Sequence, residues 1–182
     1  MESSKREHRT SRRVVVIVAF AAAFVIAGVV PAHATAPGEN GRIAFRVYFN
    51  EAHTLGAIFT IRPDGTGLIQ VTHRGKVLLD TEPDWSPDGG WIAFYRVAAS
   101  CSCKPTRIFK VRPNGTHLTQ ISTDPSVEDL LPAWSPSGKR IAFTRFDDAI
   151  GLAAVFVMRA DGTHVRQVTP SKYGGQAPLW SP

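Results

Sequence analysis

Pro83-Asp84-Trp85-Ser86-Pro87-Asp88-Gly89-Gly90-Trp91-Ile92-Ala93-Phe94 is the stretch on which the chain is organised. A Pro that fixes φ, followed by Asp-Gly, is tight-turn chemistry, and the apolar Ile-Ala-Phe behind it starts a strand. The same order returns as Trp134-Ser135-Pro136-Ser137-Gly138 before Arg140-Ile141-Ala142-Phe143, and its opening as Trp180-Ser181-Pro182. Arg42-Ile43-Ala44-Phe45 repeats the strand without a Trp-Ser-Pro before it. A second marker recurs in step, as Pro63-Asp64-Gly65-Thr66, Pro113-Asn114-Gly115-Thr116 and Ala160-Asp161-Gly162-Thr163. Markers that return together every 46 to 50 residues identify a repeat architecture.

Each unit reads as four short antiparallel strands. The first is brief and ends in Trp-Ser-Pro; the second is the Ile-Ala-Phe segment. The third is Ala57 to Ile61, Ile108 to Val111 and Ala154 to Met158, nearly all apolar, so both its faces need covering. Asp-Gly or Asn-Gly then reverses the chain into a fourth strand at Leu68 to Thr72, Leu118 to Ser122 and Val165 to Thr169, which alternates as an outer strand with one wet face should. Separate sheets stacked around an axis meet both demands. The fold class expected is therefore all-β: a β-propeller of four-stranded antiparallel blades, about three of them, in units of about 38–73, 82–123 and 131–170 with a partial unit at 177–182. A sandwich or barrel has no reason to repeat one motif at this period.

The residues from Pro83 to Phe94, with Ile108 to Thr116 behind them, resemble the WD40-like repeat of the TolB-type propeller family. The likeness runs from Gly38 to Pro182. It implies a propeller, and it implies less about function, because such repeats serve TolB, the propellers of prolyl-oligopeptidase-like and tricorn-like peptidases, and many exported proteins. TolB carries an α/β domain before its propeller and has six blades, so contacts made by that domain do not carry over.

Ahead of the repeats, Lys5, Arg6, Arg9, Arg12 and Arg13 precede the apolar run Val14 to Val30, then Pro31 and Ala32-His33-Ala34. This is the plan of a secretory signal peptide over residues 1–34, with a helix stopped at Pro31 and cleavage after Ala34. The mature domain is then 35–182, exported to the periplasm, cell envelope or medium. An uncleaved N-terminal membrane anchor is the alternative, and Ser11-Arg12-Arg13 resembles a twin-arginine start.

The leader holds five basic and two acidic side chains, which leaves 16 Lys and Arg against 13 Asp and Glu in the mature chain. These are scattered, with no basic block to follow a phosphate backbone, so nucleic acid is not expected as a partner. Cys101 and Cys103, the two cysteines, are expected to form a local disulfide in an oxidising compartment, with free or intermolecular thiols as the alternative. His117 and His164 occupy equivalent places after the Gly-Thr turn, and His53 and His73 are lone loop residues. Asp147-Asp148, Asp124 and Glu128-Asp129 read as solvated loop acids, with a cation site as the weaker alternative. Trp85, Ser86, Pro87, Trp134, Ser135, Pro136, Trp180, Asp64, Gly65, Asn114, Gly115, Asp161 and Gly162 read as structural residues of the repeat.

No Gly-x-Ser-x-Gly elbow occurs, so no catalytic residue, cofactor or metal is expected. The function expected is a binding or scaffold module that presents a rigid surface to a protein, peptide or glycan outside the cytoplasm. The alternative is the propeller of a peptidase or lyase whose catalytic part lies elsewhere. Three blades fall below the usual four to eight, so the chain is expected either to be part of a longer propeller or to be a half-ring that pairs with a second copy to give six blades. The first is favoured, because an array with an open face lacks its cap. That open face is expected to carry Ile141, Phe143, Val155 and Val157. Exported protein should begin at Thr35 on N-terminal sequencing; retention of residues 1–34 would show an anchor.

Overall fold

The structure, a computed structural model, describes residues 41–73, 78–98, 106–147, 151–170 and 174–182. The signal peptide expected over 1–34, the pair Cys101 and Cys103, and Asp148 lie outside the described residues.

All regular structure among the described residues is β, in three successive units. The first has β1 (Ile43–Tyr48), β2 (Gly56–Ile61) and β3 (Ile69–Gln70). The second has β4 (Leu78–Trp85), β5 (Ile92–Ala98), β6 (Arg107–Val111) and β7 (Thr119–Gln120). The third has β8 (Glu128–Trp134), β9 (Arg140–Asp147), β10 (Leu152–Arg159) and β11 (Arg166–Gln167). Within a unit the strands meander, each antiparallel to the one before it. The third unit is a separate four-stranded sheet, but the first two are joined into one seven-stranded sheet by a parallel contact of β2 with β4 at Gly56 and Leu79. The expected separation of sheets is lost there because Gly56 has no Cβ. A Cβ at Gly56 would stand 2.7 Å from the Val47 carbonyl oxygen and 2.9 Å from Leu79 Cδ1.

The first strand of a unit is not brief. β4 and β8 run on past their prolines, because a bulge takes up the Pro: the register shifts between Thr81 and Asp84, and again between Leu130 and Ala133. Glu82 (φ 49°) and Leu131 (φ 52°) hold left-handed backbone directly before Pro83 and Pro132. Proline disfavours the right-handed helical region for its predecessor.

The fourth strand is shorter than the alternation suggested, with two ladder residues in each unit. Beyond them one backbone bond continues in each unit, from Val71, Ile121 and Val168 N–H to the carbonyls of Ile58, Ile108 and Val155 at 2.9, 2.9 and 2.8 Å, and side chains complete the edge. Thr72, Ser122 and Thr169 hydroxyls accept from the N–H groups of Ile58, Ile108 and Val155 at 3.0, 3.0 and 2.9 Å. The amides of Gln70, Gln120 and Gln167 donate to the carbonyls of the same three hydroxyl residues.

The turns close on themselves. The Ser86 hydroxyl accepts from Trp91 N–H at 2.9 Å and donates to Asp88; Ser135 accepts from Arg140 N–H at 3.1 Å. Asp64, Asn114 and Asp161 each accept from the N–H and hydroxyl of the Thr two residues on, which holds the Asp64 and Asp161 carboxyls below their usual range. After the Thr, Gly67, His117 and His164 share left-handed φ near 60°.

The core lies between successive units. Ile92, Phe94 and Val111 of the second pack on Ile58 and Val71 of the first; Ile141, Phe143 and Met158 of the third pack on Ala93, Ile108 and Ile121 of the second. Ile141 and Phe143 are 0% exposed, so the open terminal face expected to carry them is corrected. Strand pleat puts them on the face turned to the second unit, while Val155 and Val157 lie on the opposite face. There the chain end covers Val155, whose Cγ2 is 3.3 Å from a Cβ position on Gly175. At the other end of the array the equivalent face of β1 and β2 is part-buried, with Ile43 52% exposed and Ala57 2%.

Polar contacts tie the seams. Asp84 Oδ2 accepts from Trp134 N–H at 2.6 Å, linking the second unit to the third. Burial raises the Asp84 carboxyl pKa against the lowering effect of that bond and one from Trp85. A raised folded-state pKa means that the stability this group contributes is present at low pH and lost as pH rises through that value. Gly115 and Gly162 bring their turns onto the preceding unit: a Cβ would meet Val71 O at 2.7 Å and Ile121 O at 2.2 Å, whereas nothing lies within 4 Å of one at Gly65. Gly65→Ala should therefore cost only left-handed strain, roughly 1–2 kcal/mol. Gly162→Ala, which adds a backbone clash, should lower the urea midpoint clearly further. Equal losses would show that the seam does not need this close approach.

Candidate functional site

Antiparallel order sorts the connections to two ends. The Trp-Ser-Pro turns of the second and third units and the Asp-Gly-Thr or Asn-Gly-Thr turn of each unit gather at one end. The links from β1 to β2, β5 to β6 and β9 to β10, and those between units, open at the other, because β4 starts beside the end of β5 and β8 beside the end of β9. These loop-end links differ in length and content: the intervals Phe45 to Phe59, Phe94 to Phe109 and Phe143 to Phe156 are all unequal. Loops of unequal content on a repeated scaffold are where binding residues concentrate.

A buried device supports that end. Arg96 is bidentate to Asp80, with the Nη2 bond at 2.8 Å, and Arg145 to Asp129 at 2.7 and 3.0 Å. Both aspartates have side chains 0% exposed. Each guanidinium lies over two rings, Arg96 at 5.5 and 4.5 Å from Phe94 and Phe109, and Arg145 at 5.5 and 4.8 Å from Phe143 and Phe156. Desolvation makes such a pair a weak source of net stability but a strict constraint on geometry, since neither charge tolerates losing its partner. The sequence reading missed it, although Asp80 and Asp129, and Arg96 and Arg145, repeat at the period of 49.

The device corrects the reading of the acids between units. Asp129 is not a solvated loop acid; both its oxygens take Arg145. Asp124 lies 3.7 Å from Arg145, and hydrogen bonds from Ser126 hold its carboxyl below the usual range. Glu128 accepts from Thr106 at 3.4 Å. These oxygens thus face arginine and hydroxyl donors rather than a shared point. Arg107 is buried beside them and donates to the carbonyls of Thr106 and Val127, at 2.8 and 2.5 Å; burial lowers its pKa. His53 is not a residue without a partner: its ring stacks on Tyr48 at 4.2 Å in the first loop.

Two recesses flank the third unit. At the loop end Arg145, Asp147, Leu152 and Gln167 line about 90 Å³. At the turn end Ser86, Asp88, Trp91, Lys110 and Ser137 line about 230 Å³ between the second and third units. Lys110 is committed there, donating to Ala160 O at 2.7 Å and lying 4.7 Å from the Trp91 ring. Trp85 and Trp134 pack in the seams, with indole N–H groups that have no acceptor among the described residues, while Trp180 Nε1 donates to Ala133 O at 3.0 Å.

No protein-family model matches the chain. Among solved structures it is similar to a TolB-type protein of Agrobacterium tumefaciens, with TM-score 0.54 and 27% identity over 68% of this chain and 44% of that one. The chain has a TolB-like β-propeller fold. TolB from Acinetobacter baumannii matches at TM-score 0.55 and 24% identity, over 71% of this chain and 30% of that one. In sequence, YuxL, an uncharacterised peptidase of Bacillus subtilis, is 32% identical over 111 residues, 56% of this chain and 16% of that protein. The TolB-like chain thus spans less than half the length of each of these three.

Within these TolB-like units, Asp129→Ala would leave Arg145, 15% exposed, with Asp124 at 3.7 Å as its remaining counter-charge, and should cost about 1.5–3 kcal/mol in urea unfolding. Asp129→Leu with Arg145→Met should recover most of that loss. A small effect of Asp129→Ala would mean that the pair is solvated.

Proposed function

We propose that the three units are blades of an exported, non-catalytic propeller whose loop end binds a protein, peptide or glycan outside the cytoplasm. The observation that carries this reading is the segregation of every unlike connection to one end of the blades, above buried Arg–Asp pairs that fix their roots. Export is supported by the basic, apolar and Ala-x-Ala order of residues 1–34. The near balance of charge in the mature chain supports a partner other than nucleic acid.

A second reading, that the blades belong to a peptidase or lyase, is favoured by the similarity to the Bacillus subtilis peptidase. Reading the gene past Pro182 separates the two: a downstream α/β-hydrolase segment with its nucleophile elbow decides for the second.

Site-specific photocrosslinking in the exporting cell tests the binding surface. Probes at Ala52 and Leu152, exposed at the loop end, should give a discrete adduct that probes at Asn114 and Lys139, exposed at the turn end, do not. Adducts confined to the turn-end probes, or none at any position, would overturn the assignment.

A further inference from the structure

We infer that the recess between the second and third units at the turn end is a site for a free α-amino acid with an apolar side chain. The site is separate from the loop-end surface and needs nothing from it.

The turns at this end are alike, so strand residues beside them that differ between units stand out. Thr60 and Lys110 hold one place, each directly after the Phe that pairs with a Gln of the outer strand. Arg42 and Trp91 hold another. They directly precede Ile43 and Ile92, whose partners are Ile61 and Val111, so they fall opposite Arg62 and Arg112. In the first unit this set closes on itself. Arg42 Nε donates to Thr60 Oγ1 and Nη2 to Thr60 O, both at 2.9 Å, and Arg62 donates to Thr66 Oγ1 at 3.4 Å. In the second unit Trp91 stands in place of the arginine and packs on the core that holds Trp134 and Ile141 of the third. Lys110 and Arg112 both lie over its ring, at 4.7 and 4.8 Å.

These two cations have no carboxylate within ion-pair distance among the described residues. Lys110 gives one of its three ammonium protons to Ala160 O at 2.7 Å, which leaves two. Burial lowers its pKa, with the Asp161 charge acting against that from farther off. An ammonium drawn partly out of water without a counter-ion attracts an anion with less screening than a surface lysine does.

Asp88 lines the same recess. Its Oδ1 accepts from the Ser86 hydroxyl and from Gly90 N–H, and these bonds hold the carboxyl below its usual range. Its Oδ2 has no donor among the described residues. A simple anion would therefore meet a carboxylate as well as two cations. A molecule that carries both charges on one carbon answers both, with its carboxylate toward Lys110 and Arg112 and its ammonium toward Asp88 Oδ2. The remaining walls are apolar, from Trp91, Trp134, Pro87 and Ala160, and suit an aliphatic side chain. A volume of about 230 Å³ is below the roughly 300–1,000 Å³ of sites for drug-sized ligands, so the occupant is small and one molecule reaches both charges.

Isothermal titration of the purified exported chain with L-leucine tests the site. L-leucine should bind, while L-leucinamide, which lacks the carboxylate, and isocaproate, which lacks the ammonium, should each bind about tenfold more weakly. Lys110→Thr should weaken L-leucine binding by about tenfold or more. Trp91→Arg made together with Lys110→Thr rebuilds the closed pair of the first unit, and should keep a cooperative urea transition while abolishing the binding. No binding of L-leucine at millimolar concentration, equal binding of the three compounds, or unchanged binding in a folded Lys110→Thr chain would each overturn the proposal. Should that variant not fold, the three compounds on the unaltered chain decide it.

Discussion

Every blade of this chain has two apolar faces, and a sheet with two such faces is satisfied only between neighbours. Ile92, Phe94 and Val111 on one seam and Ile141, Phe143 and Met158 on the next are almost wholly withdrawn from water. At about 1.5–3 kcal/mol for each large side chain removed from water, these seams dominate the gain on folding. The polar ties are set where the apolar contact brings backbones together. Gly115 and Gly162 let a turn sit on the carbonyl of the preceding blade, and Asp84 reaches across to Trp134 N–H. The Asp84 bond carries a desolvation cost that shows in its raised pKa, so it serves placement more than net stability.

The seams leave the two ends of the array with different duties. At the turn end each bend satisfies itself through Ser86, Ser135 or an Asp-Gly-Thr pattern, and almost nothing varies between blades. At the loop end the connections differ, and beneath them Arg96 and Arg145 are clamped between aspartate and two phenylalanine rings. Such a clamp discriminates between geometries: a displaced guanidinium loses charge partner and ring faces together. The strand ends that carry those links are thus held in one geometry, which fits the recognition role proposed for that end.

Local chemistry made much of the fold legible. The Trp-Ser-Pro, Ile-Ala-Phe and Asp-Gly-Thr markers act through neighbours in sequence, and their period disclosed repeated antiparallel units directly. The candidate site was less legible. Asp129, in a connection between units, looks from the sequence like a solvated loop acid, because its partner Arg145 is 16 residues away on another strand. The length of the first strand was not legible either, since nothing local shows that a bulge and a left-handed predecessor let β4 and β8 include Pro83 and Pro132.

What the sequence by itself determined is therefore the unit: its strand order, its turns and the apolar character of both faces, all set by pleat and turn chemistry within a few residues. What only the tertiary structure decided is how units meet. Which apolar face of the third blade turns inward, why Gly162 and not Gly65 is crowded, and which aspartate holds which arginine depend on the stacking of one sheet against the next. That stacking fixes contacts across about fifty residues of chain, a distance at which no local preference of the backbone reaches.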